Sequence, residues 1–167
     1  MTTSRVAEVA GVSVGTLYQY FAHREAIIEA LQEREFDRAG SLLERLLRDP
    51  RPSSDRELAQ SVVEELLRLY RAAPALHRVL AVEGLRLAPP ERVLAFDARS
   101  IAMVKALLGA ASTGVRPSNL DAAAFVIYQS VRATMLSYLL AAPACVDDRV
   151  LVSELTELIV GYLSRQR

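Results

Sequence analysis

Hydrogen-bonding side chains are concentrated near the start of the chain. Thr16, Tyr18, Gln19 and Tyr20 project hydroxyls and an amide from one short segment, and Arg24 adds a guanidinium group. Proteins use such groups to contact the phosphates and base edges of DNA. Whether they make such contacts depends on the elements that position them.

No pattern typical of catalysis occurs in the sequence. We find no nucleophile with a paired base and no phosphate-binding loop. Cys145 is the only cysteine, which excludes an internal disulfide and nearly excludes a cysteine-based metal site. His77 has no second histidine or cysteine spaced to join it as a metal ligand. We therefore expect a protein that is not an enzyme and needs no cofactor.

Two short helices would hold the hydrogen-bonding groups in place. Thr2 can cap a first helix that runs to about Ala10, and Ser13 can cap a second helix over about 14–20. Gly11 stands in the turn, where a residue free to adopt positive φ is needed. Two helices joined by such a turn form a helix-turn-helix, whose second helix typically enters the DNA major groove.

The rest of the chain is predicted to be helical, because leucine, alanine, glutamate and arginine dominate and no strand pattern survives. We expect eight helices in all and an all-α fold, with a small head and a larger helical-bundle body. A long helix over 24–48 would bridge the two. The later helices are expected to begin at 55 and 74 and to cover about 91–111, 121–141 and 147–165.

Several helix boundaries are predicted from local signals. Residues 118–121 resemble a capping box that begins at Ser118 and has aspartate in place of glutamate. Asp147 or Asp148 can cap the last helix, and the prolines at 89–90 should end the helix before them. The residues spaced to form the core of the head are Val6, Val12, Leu17 and Phe21.

Bulk composition limits the choice of partners. Twenty basic residues balance twenty acidic ones, so contact with DNA must come from a local patch. The most apolar run, 122–142, is interrupted by polar residues, which favours a buried or dimer-forming helix over a membrane span. A lone cysteine and the lack of a secretion leader are typical of a cytoplasmic protein.

Residues 2–25 resemble the DNA-binding head of the TetR/AcrR family of bacterial transcriptional regulators. The body resembles the family only in being helical and of suitable length. The matching residues of the head are Thr2, Val6, Ala7, Ala10 to Ser13, Gly15 to Tyr18, Tyr20, Phe21, Arg24 and Glu25.

The resemblance implies phosphate contacts for the head. Tyr18 would reach a backbone phosphate, and Tyr20 would make a second contact. Thr2 and Arg24 lie at helix N-termini, which favour phosphate. Val14 stands where the family often has lysine, so it would lose one phosphate contact but could touch a thymine methyl. The alternative for both tyrosines is a place in the core.

The second helix would also approach the bases. Gln19 is the best candidate for base recognition, because its amide can pair with adenine; its alternative is a solvated surface position. Gly15 has no side chain at the position where the helix backbone would approach DNA, and Thr16 adds a hydroxyl beside it.

One departure from the family concerns the start of the chain. Family members have a helix before this pair, whose apolar face covers Val6, Leu17 and Phe21. The sequence begins directly on the first helix of the pair. Either the gene start is placed too late, or the sequence is trimmed, or the head is incomplete; in the last case DNA binding should be weak or lost.

For the body, the resemblance implies a small-molecule pocket among the middle helices and dimerisation through the helices at 121–141 and 147–165. Charged groups on apolar helix faces could line such a pocket, although they could equally pair with one another. The aromatic and apolar candidates are more often core residues than ligand contacts. The candidate ligand-binding residues are Tyr70, His77, Glu83, Phe96, Met103, Phe125, Tyr128 and Arg132.

These features together predict a homodimeric regulator, most simply a ligand-responsive repressor that binds a palindromic operator. Residues 1–47 would form the head with its connecting helix, and 48–167 the domain that binds the ligand and dimerises. Its partners would be double-stranded operator DNA and a hydrophobic or aromatic effector, with no membrane. The alternative is a dimeric helical protein that binds a small molecule or a partner and no longer binds DNA. The effector, the operator and the choice between repressor and activator are not specified.

Overall fold

The fold is described from a computed structural model. The structure describes residues 2–48, 54–84, 86, 89–110, 119–141 and 143–164. Ser118, which was predicted to begin a capping box, lies outside these ranges.

The described residues form eight α-helices, one of which is followed directly by a π-helical segment, and no strand. The elements are α1 (Thr3–Ala10), α2 (Val14–Tyr20), α3 (Arg24–Arg48), α4 (Asp55–Ala72), α5 (Pro74–Val79), the π-helical segment (Leu80–Gly84), α6 (Pro90–Ala110), α7 (Leu120–Ala141) and α8 (Asp148–Ser164). The prediction of an all-α fold is therefore confirmed.

The caps of the helix-turn-helix match the prediction. The Thr2 hydroxyl accepts a hydrogen bond from the backbone N–H of Arg5, and the Ser13 hydroxyl accepts one from Thr16 at 2.9 Å. Gly11 adopts φ +69° at the end of α1, and its N–H reaches back to the carbonyls of that helix. A residue in the left-handed backbone conformation at this place lets the chain turn at once into α2.

Three later boundaries differ in detail. The N-cap of α7 is Asn119, whose side chain accepts a hydrogen bond from the N–H of Ala122 at 2.9 Å. Of the two aspartates considered for α8, Asp147 is the cap, because its carboxylate accepts from the N–H of Val150. Pro90 begins α6 instead of only ending the helix before it, since proline is well suited to the first helical position.

The main core is formed where α4, α7 and α8 pack together, with α6 against α7. Val63 of α4 and Met135 of α7 are almost completely inaccessible to solvent. A smaller core lies in the head, where Ala7, Leu17 and Ile27 are buried and Val6 and Phe21 pack around them. The predicted core residue Val12 is 41% exposed and is not part of this cluster, because the chain turns outward after Gly11.

Helix α3 connects the core of the head to the body. Its first turns supply Ile27 to the head, and its later turns pack against the π-helical segment, α4 and α6. With 25 residues it is also the longest described helix.

The helix that was predicted to start at Pro74 changes its hydrogen-bonding period at Leu80. A π-helical turn accommodates one extra residue and so shifts the face on which each later side chain lies. Glu83, a predicted ligand-binding residue, is partly exposed and accepts a hydrogen bond from Arg86 at 2.9 Å. Gly84 is buried against the side chain of Gln32, which leaves little space for a Cβ atom.

Among the residues described, no helix is long and apolar enough to cross a membrane.

Candidate functional site

The surface of α2 carries most of the predicted DNA-contacting groups. Along this helix only Leu17 is buried, because it turns inward to the core of the head. Tyr18 is 47% exposed and Tyr20 is 77% exposed, so neither tyrosine is a core residue. Val14, Gly15 and Gln19 are also exposed, and Thr16 is half-buried. The helix therefore presents a continuous polar and aromatic face to solvent.

Hydrogen bonds organise the front of this face. The hydroxyls of Tyr18 and Thr3 lie 3.3 Å apart, which joins α2 to the first residue of α1. The hydroxyls of Thr16 and Ser13 lie 2.8 Å apart, in the first turn of α2. Thr2 is exposed at the start of α1, close in sequence to Thr3. The N-termini of α1 and α2 and five hydroxyl groups thus lie in the head.

Arg24 stands at the start of α3, where its predicted role was a phosphate contact. It is only partly exposed, and its Nε atom is buried without a hydrogen-bond partner. Its charge is near enough to Glu83 to help lower the pKa of that carboxylate, after the larger effect of the Arg86 hydrogen bond. Arg24 therefore lies where the head meets the π-helical segment.

A cavity of about 220 Å³ lies in the body, enclosed by helices α3 to α8. Its lining is mainly apolar, and side chains from all of these helices contribute to it. Phe36 of α3 and Phe96 of α6 stack in this lining with ring centroids 3.8 Å apart. Ligand pockets typically have this character, with apolar walls and a few polar groups that fix orientation.

Five of the eight predicted ligand-binding residues line this cavity. They are Tyr70, His77, Phe96, Tyr128 and Arg132. The other three are not among the lining residues. Glu83 pairs with Arg86, Phe125 is 52% exposed on the outer face of α7, and Met103 lies beside Gly40 of α3.

Tyr128, Arg132 and Asp97 form one polar group at the lining. The Tyr128 hydroxyl donates a hydrogen bond to the Asp97 carboxylate at 2.6 Å, and Arg132 Nε lies 3.8 Å from the same oxygen. Burial, and secondarily the Asp97 hydrogen bond, raises the pKa of the Tyr128 hydroxyl well above its ordinary value. The Tyr128 hydroxyl and the Asp97 carboxylate therefore satisfy each other, Arg132 faces the same carboxylate, and Tyr128 stays protonated.

A second polar group, formed by Gln32, Glu35 and His77, is not satisfied. All three residues are buried and line the cavity. Arg34 and Arg38 both donate to Oε1 of Glu35 at 3.0 Å. Oε2 of Glu35 and Nε2 of His77 have no hydrogen-bond partner, although they lie only 3.7 Å apart.

The sequence analysis did not identify Gln32 or Glu35. The sequence did contain a signal for both residues. Gln32 and Glu35 lie four and seven residues after Ile28, and seven and four residues before Ala39. This spacing places both polar side chains on the apolar face of α3.

His77 is neutral at physiological pH. Burial lowers the pKa of its imidazole, and this effect exceeds the opposing influence of the Glu35 carboxylate. A hydrogen bond to the backbone of Leu69 also acts to raise that pKa, which identifies the imidazole as the donor. Because Nε2 has no partner, we assign the imidazole proton to Nδ1, which leaves a lone pair on Nε2.

Helices α7 and α8 leave apolar side chains exposed on their outer faces. On α7 these are Phe125, Val126 and Leu140, and on α8 Val150 and Leu158. Gly161 of α8 is exposed as well, with open space around the position of a Cβ atom. Close approach of another helix is possible at such a position.

Two family profiles match the chain. The one described as "Bacterial regulatory proteins, tetR family" matches residues 1–31. The one described as "Tetracyclin repressor-like, C-terminal domain" matches residues 54–163, which is well over half of the chain. No curated protein sequence matches it.

Solved structures show the same fold. The TetR family transcriptional regulator PfmR from Thermus thermophilus superposes with a TM-score of 0.68 at 14% identity, covering 96% of this chain and 88% of PfmR. The TetR family repressor AlkX from Dietzia sp. strain DQ12-45-1b superposes with a TM-score of 0.56 at 26% identity. That match covers 99% of this chain and 85% of AlkX, which is implicated in the biodegradation of n-alkanes.

Proposed function

The chain belongs to the tetR family of bacterial regulatory proteins, and we propose that it is a ligand-responsive repressor that binds operator DNA as a homodimer. One observation carries the proposal: α3 supplies Ile27 to the core of the head and Glu35 and Leu43 to the lining of the cavity. A molecule in the cavity therefore contacts the same helix that supports the DNA-reading pair.

The proposed DNA contacts are the exposed groups of α2 and the adjacent helix ends. Tyr18 and Tyr20 would contact phosphates, with Thr2 and Arg24 at helix N-termini nearby. Gln19 would read a base through its amide. Val14, Gly15 and Thr16 would form the surface that lies closest to the groove.

We propose that the effector is hydrophobic, because the cavity lining is mainly apolar. The likeness to AlkX, whose reported context is n-alkane biodegradation, agrees with this choice. Tyr70, His77, Phe96, Tyr128 and Arg132 are the candidate contacts within the lining. In a dimer, two arrangements of α3 would give two spacings of the heads. The effector must bind one of these arrangements more tightly than the other, because only a difference in affinity shifts the equilibrium between them.

We propose that two copies associate through the exposed apolar faces of α7 and α8. The pairing of these helices would form a four-helix contact and remove their apolar side chains from water. Two recognition helices would then face half-sites about 34 Å apart, which is one turn of DNA.

The alternative, a ligand-binding dimer that does not bind DNA, is tested by operator binding. The DNA flanking the gene would be titrated with the 167-residue chain and with the chain extended upstream by one helix. We expect specific binding by the extended chain, and its loss on addition of an effector. If neither chain binds while both form dimers, the DNA-binding proposal fails and the alternative stands.

A further inference from the structure

The unsatisfied pair of Glu35 and His77 restricts what the cavity can hold. Both residues are 6% exposed, and each has one buried polar atom without a partner. A buried polar atom left without a hydrogen bond costs about 1–3 kcal/mol, and more when the group is charged. Two such atoms 3.7 Å apart make a site that is incomplete without an occupant.

Both free atoms are hydrogen-bond acceptors. Arg34 and Arg38 hold Oε1 of Glu35, so that Oε2 is the oxygen left over. A carboxylate oxygen can only accept, and Nε2 of the neutral His77 carries a lone pair because Nδ1 donates to the backbone. Neither atom can satisfy the other, and an occupant must supply the hydrogen.

We propose that the cavity takes an apolar molecule with a hydrogen-bond donor, an alcohol or an amine, at one end, and that this donor lies between Glu35 and His77. A nitrogen or oxygen placed about 2.8 Å from each acceptor closes a triangle with their 3.7 Å separation; an amine there can donate to both atoms, and an alcohol, with its single hydrogen, to one of them. The remainder of the molecule lies along the apolar lining. The inference rests on the proposed function only in identifying the cavity as the effector site.

The size of the cavity suits a chain of moderate length. A dry apolar cavity of about 150 Å³ is known to hold benzene. The cavity described here is larger, at about 220 Å³, and the Phe36–Phe96 stack forms part of its apolar wall. A ten-carbon probe is therefore a reasonable choice.

The donor requirement is tested with three probes of matched size. These are 1-decanol, its isomer nonyl methyl ether, which has an oxygen but no donor, and decanoate, which brings a negative charge to Glu35. Binding to the full chain would be measured by titration calorimetry without DNA. We expect 1-decanol to bind about tenfold or more tightly than either other probe. Equal affinities, or a preference for decanoate, would overturn the proposal.

Glu35→Gln gives a sharper test. Because Arg34 and Arg38 would hold the amide oxygen, the NH₂ group would replace Oε2 and turn an acceptor into a donor. We expect the ether and decanoate to bind more tightly than they do to the unmodified protein, so that the preference for 1-decanol narrows. It does not vanish, because the alcohol can still donate to Nε2 of His77 while it accepts from the amide. Glu44→Gln is the matched control, since Glu44 also lies on α3 and pairs with Arg48 and Arg99, but outside the lining. It should keep the preference for the alcohol.

The outcomes separate this inference from the proposed function. Binding of 1-decanol with the expected preference, but without release of operator DNA, would leave the inference standing and count against the effector role. Equal binding of all three probes, together with release of operator DNA, would overturn the inference and support the effector role of the cavity. The comparison of probes on the unmodified protein remains decisive if Glu35→Gln does not fold.

Discussion

The hydroxyl of Tyr18 lies 3.3 Å from the hydroxyl of Thr3, so the DNA-reading helix is joined to the first residue of the helix before it. This contact holds an aromatic side chain at the surface that would otherwise be free to rotate. It also leaves the tyrosine half exposed and able to exchange its partner for a phosphate oxygen.

Replacing Tyr18 with phenylalanine should weaken binding to every DNA sequence by a similar factor. The change removes one hydrogen bond to phosphate, which is worth about 0.5–1.5 kcal/mol, or roughly two- to tenfold in affinity. Fluorescence anisotropy with operator and random duplexes at one salt concentration would measure both affinities. Loss on the operator alone would show that Tyr18 contributes to base recognition instead.

Gln19→Ala should reduce the discrimination at one base position of the operator. A bidentate contact contributes about 1–3 kcal/mol of preference against the wrong base. Binding to a set of single-base operator variants would locate the affected position. Tyr18→Phe serves as the control, because it should leave the pattern of preferences unchanged. An equal loss by the Gln19 variant on operator and random DNA would remove it as a base-reading residue.

The two glycines of the head should respond differently to alanine. Gly11→Ala should lower the free energy of unfolding by about 1–2 kcal/mol, because alanine disfavours the left-handed backbone, although space for a methyl group is available. Gly15→Ala should raise it by about 0.5–1 kcal/mol, since Gly15 lies within a helix. Urea unfolding monitored by circular dichroism would measure both. A destabilising Gly15→Ala or a neutral Gly11→Ala would contradict this explanation.

The ion pair between Arg71 and Asp148 predicts that the stability of the folded protein depends on pH in the acid range. The hydrogen bond from Arg71, with a second one from Tyr138, holds the pKa of Asp148 below its ordinary value of 3.8. A lowered pKa in the folded state stabilises the protein above the unfolded value, and this contribution is lost as pH falls through the folded value. Asp148→Asn should therefore be less stable at neutral pH.

Because both partners of this pair are nearly half exposed, the difference should be under about 1 kcal/mol at pH 7, and it should be lost only as the pH falls below about 4 and through the folded-state pKa of Asp148. Chemical unfolding across this pH range measures it. Asp147→Asn is the control, because asparagine caps a helix as well as aspartate does. A difference that persists in acid would show that the side chain acts through packing and not through its charge.

Charge placed on the outer face of α7 should disrupt dimers. Phe125→Arg would put an unpaired cation into the proposed contact. We expect the dissociation constant of the dimer to rise about tenfold or more. Sedimentation analysis at several concentrations measures the dissociation constant. Leu94→Arg on α6 is the control, since Leu94 is equally apolar and 67% exposed but lies on another helix. Equal effects of the two changes would argue against this face.

The parts of the fold that depend on local chemistry could be predicted from the sequence. Thr2, Ser13 and Gly11 act within one turn of their own positions, and their roles follow from residue type alone. Asn119 was missed because Ser118 beside it has the same capping ability. The π-helical segment has no signal of its own, since the residues at 80–84 suit an α-helix as well, and the extra residue changed the face on which Glu83 lies.

The cavity was harder to predict, because it is formed by residues that are far apart in sequence. Of the two charged residues predicted to lie on apolar helix faces, Arg132 lines it and Glu83 does not. Phe125 was also predicted to line it, but α7 has apolar residues on all sides and so gives no indication of its inward face. Glu35 was overlooked, although a carboxylate on the buried side of α3 was visible in the spacing.

Helix α3 also has a mechanical consequence. Its 25 residues make a rod about 37 Å long, and the residues that line the cavity extend along it to Leu43, about 24 Å from Ile27 in the core of the head. A rod held in this way is a lever arm. A tilt of about 5° about Leu43 carries Ile27 sideways by about 2 Å. An occupant of the cavity therefore needs to move its wall only slightly to change what the head can reach.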